Sequence, residues 1–245
     1  MTVHLRGFTC GWLTTDLAGM LEGGEGRIRM PVLSYLVEHP KGRLVFDTGL
    51  HADMRTDPVG RIGGLANYFD SEMADGTAVD ERVGSFDLAL DLVVCSHLHF
   101  DHCGGNSRLG DVPVIVQRAE WDAAHGGDPT AGYNPADFET GQDMRLVDGE
   151  HDVFGDGSVV CIPTPGHTMG HQSLRVRTAA REVVLTGDAC YFRRSLDESR
   201  LPLFGHDREQ QLLSHGVLRS LEAAGAHLVF GHDPDQWTDD EVVSL

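Results

Sequence analysis

Positive charge is scarce in this chain: Lys and Arg number 19 against 38 Asp and Glu, a formal net charge of −19 over 245 residues. So few cations do not suit a nucleic-acid partner, whose binding rests on phosphate neutralisation, and an anionic membrane surface would repel the chain for the same reason. No run approaches the roughly 20 apolar residues that a bilayer span requires. The opening Met1-Thr2-Val3-His4-Leu5-Arg6-Gly7 has no basic start followed by an apolar stretch, so no signal peptide is expected. Cysteine is sparse as well. Cys10, Cys95, Cys103, Cys161 and Cys190 are odd in number, widely spaced and without a CxxC pair, which predicts reduced thiols in a cytoplasmic protein rather than a disulfide framework. Linkers, repeats and charge blocks are also missing, so residues 1–245 read as a single domain.

What is present is a series of short β-rich runs separated by polar loops. Strands are predicted at 33–38, 43–47, 92–96, 113–117, 158–163, 172–176, 182–186 and 226–230, several apolar almost throughout, as for strands buried on both faces. The clearest helix is 207–224, with Leu212, Leu213, Val217, Leu218 and Leu221 as its apolar positions and Gly225 as its stop. Weaker helices are read at 117–125 and after His102. Two half-sequences of strands, each followed by helix, predict an α/β four-layer αββα sandwich. Segments 14–30 and 51–80 are glycine-rich, lack either period and read as irregular loops that cover a site.

Six residues carry the chemistry: His97-Leu98-His99-Phe100-Asp101-His102 follows directly on the apolar run 91–96. Imidazoles and a carboxylate this close compete for protons unless a divalent cation organises them. His97 and His99, two apart on extended backbone, point to one side, while Asp101 and His102 follow as the chain turns. Three more apolar runs deliver a candidate ligand beside a glycine: His167 after Pro165-Gly166, Asp188 after Gly187 and His232 after Gly231. Taken singly each is an ordinary loop residue; taken with the first motif they point to a two-metal site.

That set of seven is similar to the ligand set of the metallo-β-lactamase superfamily, with Asp47 resembling its structural aspartate. The runs Ser96 to Asn106, Val114 to Arg118, Thr164-Pro165-Gly166-His167, Gly170 to Leu174 and Asp188-Ala189-Cys190-Tyr191 resemble, more narrowly, the N-acyl-homoserine-lactone lactonases, the quorum-quenching branch. The resemblance implies a metallo-β-lactamase fold and a dinuclear hydrolase that opens a lactone ring with a metal-bridging hydroxide. His97, His99 and His167 would hold one cation, Asp101, His102 and His232 the other, and Asp188 would bridge them. It also implies Asp101 as proton shuttle and Tyr191 as hydroxyl donor to the oxyanion. Zinc is the expected metal, with cobalt, manganese and iron also suited to these donors.

Substrate contacts are expected from Met20, Leu21, Leu65, Tyr68, Phe69, Phe204 and His206, in loops that depart most from the family pattern. That departure leaves the acyl chain open. It also leaves open a lactonase for another ring, such as 4-pyridoxolactone, for which Arg193, Arg194 or His206 offer polar groups, or a glyoxalase-II-like thioesterase. A non-catalytic metal-binding domain would be expected to have lost ligands, and none is lost. His171 reads either as a residue orienting a ligand or as a loop-closing histidine. Monomer and homodimer are equally compatible with the chain.

Overall fold

Three consecutive residues, Leu92, Val93 and Val94, are all buried, yet they serve two different cores. In the computed structural model, which describes residues 2–126, 132–237 and 242–245, they form one strand of a sheet covered on both faces, as their unbroken apolarity predicts. The strands are β1 (His4–Asp16), β2 (Arg27–His39), β3 (Gly42–Phe46), β4 (Asp70–Glu72), β5 (Leu92–Val94), β6 (Val114–Gln117), β7 (Met144–Val147), β8 (His151–Asp152), β9 (Val159–Pro163), β10 (Gln172–Arg177), β11 (Glu182–Leu185), β12 (His227–Val229) and β13 (Val243–Ser244). One sheet has the order β13-β1-β2-β3-β5-β6-β7, with β4 beside β1; the other runs β12-β11-β10-β9-β8. β3, β5, β6 and β7 are parallel, as are β11 and β12.

Leu44, Phe46, Leu92 and Val94 of the first sheet pack against Cys161, Leu174, Val183 and Leu185 of the second, so the central core lies between the sheets. Burial of each such aliphatic or aromatic side chain contributes about 1.5–3 kcal/mol. The outer faces are covered by helices. Val93, Val114 and Val116 meet Ala124 of α5 (Arg118–Gly126) and Phe138 of α6 (Pro135–Phe138). Phe8, Leu36 and Val45 meet Val79 and Val83 of α3 (Val79–Ser85). Val184, Leu228 and Phe230 meet Leu196 of α7 (Arg193–Glu198) and Leu218 of α8 (Arg208–Ala223). This is the expected αββα sandwich.

All eight expected strands are present; the two expected loops are not loops throughout. Segment 14–30 contains the end of β1, the short helix α1 (Leu17–Met20) and the start of β2, with Met20, Leu21 and Met30 buried. Its polar, glycine-rich composition hides a long antiparallel pair that continues to Asp16 opposite Arg27. Segment 51–80 contains a 3-10 turn (Ala52–Arg55), α2 (Pro58–Ile62), a second 3-10 turn (Gly63–Asn67) and β4. These elements are too short to show a period. The helix expected after His102 begins earlier, as α4 (Phe100–Cys103).

α8 matches its predicted limits, with Asp207 capping Gln210 N–H and Gly225 at φ +105 beyond its end. Its apolar positions do not all face inward. Leu213 and Val217 are exposed, while Gln211, Ser214 and His215 are buried. The reason is what α8 packs against: Gln211 Nε2 donates to the carbonyls of Asp188 and Ala189, Ser214 to that of Pro165, and His215 Nε2 to that of Ala189. These loop carbonyls lack sheet partners, and buried carbonyls need donors.

Candidate metal centre and active site

The seven residues singled out by spacing come together at the carboxyl ends of strands. His97 and His99 follow β5, and Asp101 and His102 lie in the first turn of α4. His167 lies between β9 and β10, Asp188 in a 3-10 turn (Gly187–Ala189) after β11, and His232 just beyond β12. One nitrogen each from His97, His99 and His167 lie within 4.8 Å of one another. The same holds for one donor atom each from Asp101, His102 and His232, and from His97, His102 and Asp188.

Asp188 stands between the groups and divides its carboxylate between them. Its Oδ2 is 3.3 Å from His167 Nε2 and 3.8 Å from His97 Nε2; its Oδ1 is 3.0 Å from His232 Nε2 and 3.2 Å from His102 Nε2. Gly187 makes this turn possible. It sits at φ +51, and a Cβ there would lie 2.8 Å from His171 Nε2.

Outer partners set the ring orientations. His102 Nδ1 donates to Asp47 Oδ2 at 2.9 Å, and His232 Nδ1 donates to the Pro31 carbonyl at 2.9 Å, so each presents Nε2 to the centre. Asp47 also accepts from Ser96 N–H and Ser96 Oγ–H, and adopts φ 56, a strained position for a non-glycine residue. His171 Nε2 accepts the N–H groups of Asp188 and Ala189, while its Nδ1 meets Thr164 Oγ1. His171 therefore holds the backbone of the Asp188 turn.

The donor set fits divalent cations. Burial holds His97 and His99 well below the usual imidazole range and His167 at about 4, so all three are neutral, as metal ligands must be. His102 goes the other way: burial opposes its charge, but Asp188, Asp101 and Asp47 outweigh it. Among the described residues, Nε2 of His97, Nε2 of His102 and Oδ1 of Asp188 are buried with no hydrogen-bond partner despite the nearby opposite charges. Orphaned donor atoms converging on one point are costly unless a cation satisfies them.

A cavity of about 2060 Å³ opens onto this cluster and is lined by His99, Asp101, His167, Asp188 and His232. Met20, Leu65, Tyr68, Phe69, Phe204 and His206, the residues expected to contact substrate, also line it, but Leu21 is buried in the core beside it. Tyr191 borders the cavity, its ring 5.2 Å from that of His232 and 5.7 Å from that of His167. Arg193 and Arg194 do not line it; they pair with Glu222 and Glu198. Cys103 and Cys190 are buried, free and outside the three donor groups. Sequence reasoning missed the buried Glu120 and its neighbour Tyr133, whose ring lies 4.9 Å from that of His99. No ligand-like spacing marks either.

A family profile described as the metallo-beta-lactamase superfamily matches residues 27–232. An N-acyl homoserine lactonase of Rhizobium johnstonii is 38% identical over 231 residues, covering 89% of this chain and 88% of its own. One from Bacillus thuringiensis is 30% identical over 218 residues, covering 85% and 84%. Among solved structures, an N-acyl homoserine lactone hydrolase with the product N-hexanoyl-L-homoserine at its catalytic metal centre superposes with a TM-score of 0.87 at 28% identity, over 97% of this chain and 96% of that one.

Proposed function

The chain belongs to the metallo-beta-lactamase superfamily, and from that premise we propose that it hydrolyses the ring ester of N-acyl homoserine lactones. The observation that carries the reading is a divided carboxylate, Asp188, between two triads of donors at the floor of a largely apolar cavity. The identity of 38% to a curated homoserine lactonase, over most of both chains, supports the same substrate class.

His97, His99 and His167 would hold one cation and Asp101, His102 and His232 the second, with the Asp188 carboxylate between the two groups. Zinc suits these imidazole and carboxylate donors, as does cobalt. When bound, two such ions supply a water activated near neutral pH and polarise an ester carbonyl. The side chains do the rest. Asp101, whose pKa is raised by burial and by Asp188, takes a proton from the attacking water and passes it to the departing ring oxygen. Tyr191 is held well above the usual phenol range by burial, with Asp188 and Asp101 adding to it, so it stays protonated and donates its O–H where carbonyl charge develops. Water adds across the acyl–oxygen bond, giving the open hydroxy acid and releasing a proton at neutral pH.

A pH-indicator assay of zinc- or cobalt-loaded protein tests this. Its panel holds short- and long-chain acyl homoserine lactones, a simple γ-lactone, 4-pyridoxolactone and a glutathione thioester. The homoserine lactones are expected to open fastest, and chelator-treated protein to be inactive until metal is restored. Turnover of 4-pyridoxolactone or the thioester alone would overturn the substrate assignment.

A further inference from the structure

One buried carboxylate has no part in this chemistry. Glu120, in the first turn of α5, is fully buried, and no cation pairs with it among the described residues. Three donors satisfy it instead. Its Oε1 accepts the Leu98 N–H at 2.9 Å and the Tyr133 O–H at 3.1 Å; its Oε2 accepts the Gly170 N–H at 3.1 Å. Leu98 is the residue between His97 and His99, and Gly170 is three residues beyond His167. One side chain thus bonds both backbone segments that carry the first donor triad, and reaches neither Asp101, His102 nor His232 in any hydrogen bond described. The second segment approaches Glu120 closely enough that a Cβ on Gly170 would lie 2.1 Å from the Glu120 nitrogen.

We propose that Glu120 is a positioning residue that yokes the His97–His99 segment to the His167 loop and so sets the metal affinity of that triad selectively. The inference rests on reading the triad as a metal centre. The two segments come from different sheets, and no strand pairing fixes their separation at this point. The Gln172 N–H donates to the Ser96 carbonyl at 2.9 Å, just before the His97–His99 segment, and Glu120 adds the tie beside the donors themselves, each of its oxygens pinned to a different segment. Gln cannot substitute: whichever way its amide turns, an N–H group faces a backbone N–H. Altering such an outer partner of a metal site costs about 10–100-fold in affinity.

The test is titration of metal-free protein with cobalt, followed by the visible absorption bands, for the wild type, Glu120→Gln and Gly170→Ala. Gln preserves the volume, so loss in that variant reports the acceptor; Gly170→Ala pushes the loop away while leaving Glu120 intact, and serves if the Gln variant does not fold. The wild type is expected to take up two ions. Each variant is expected to lose about 10–100-fold in affinity for one ion, with an altered spectrum, while the other site binds as before. Two ions bound with wild-type affinity and spectrum in either variant would overturn the yoke. Equal weakening of both sites together with a lower melting temperature would assign Glu120 a general structural role and overturn it as well. Failure of the wild type to bind cobalt would instead remove the metal-centre reading itself.

Discussion

The Nε2 atom of His171 accepts the backbone N–H of Asp188 at 3.0 Å. It accepts that of Ala189 too, at 3.2 Å, so one imidazole satisfies two consecutive donors in the turn that aims the central carboxylate. Replacing His171 with Ala leaves both buried N–H groups unpaired, at about 1–3 kcal/mol each. His171→Ala should melt well below the wild type and lose metal about tenfold more readily to a chelator. Unchanged melting and metal retention would reduce His171 to a space-filling residue.

Acid should weaken the same region. Burial pushes His171 down to about 3 and His215, behind the same turn, down to about 4, both below the ordinary value of 6.5. As pH falls below 6.5 the unfolded chain takes up these protons and the folded chain does not, so stability falls with pH until each folded value is reached. Each group costs about 1.4 kcal/mol per pH unit, or roughly 2 kcal/mol at pH 5. Urea unfolding at pH 7 and pH 5 measures the slope. His215→Gln keeps a donor for the Ala189 carbonyl but cannot titrate, and should flatten the slope; an identical slope would exclude His215.

Much of this arrangement was legible in the sequence because it is local or strand-terminal. The His97 to His102 run declares itself within six residues, and His167, Asp188 and His232 each follow an apolar strand and a glycine. What escaped notice depends on contacts across the fold. Glu120 bonds residues 22 and 50 positions away, and nothing in Gln117-Arg118-Ala119-Glu120 distinguishes it from a surface helix residue. The buried face of α8 is obscure in the sequence for a related reason. Leucine spacing locates a helix, but only Leu218 of those positions is fully buried against the sheet, and the rest of the inward side meets loop carbonyls that Gln211, Ser214 and His215 answer.

Phe69 should govern acyl-chain preference. Its ring packs 6.0 Å from that of Phe100 and lines the cavity with Leu65 and Met20. Phe69→Ala removes apolar surface that only a chain reaching past the lactone would cover, at about 0.8 kcal/mol per buried methylene lost. KM for a long-chain homoserine lactone should rise about tenfold, while a short-chain substrate changes little. An equal rise for both would place Phe69 in shaping the site rather than in chain recognition.

Asp101 and Tyr191 both border the cavity, and their proposed roles separate kinetically. Asp101→Asn keeps the size of the side chain but cannot carry a proton, and its amide is a poorer cation donor. It should lower kcat by about 10²–10⁴-fold and weaken the cation shared with His102 and His232. Tyr191→Phe removes one donor that works beside two cations, so its loss in kcat should be smaller, about tenfold, at the low end for a lost oxyanion donor. Its KM should change little, because the hydroxyl acts on charge that develops only as the ring opens. Metal content measured alongside the rates distinguishes the two: Asp101→Asn is expected to lose metal, and Tyr191→Phe to hold two ions per chain as the wild type does. A Tyr191→Phe enzyme with an unchanged kcat would make the tyrosine a wall of the cavity. An Asp101→Asn enzyme with full metal and normal turnover would move the proton shuttle to another group.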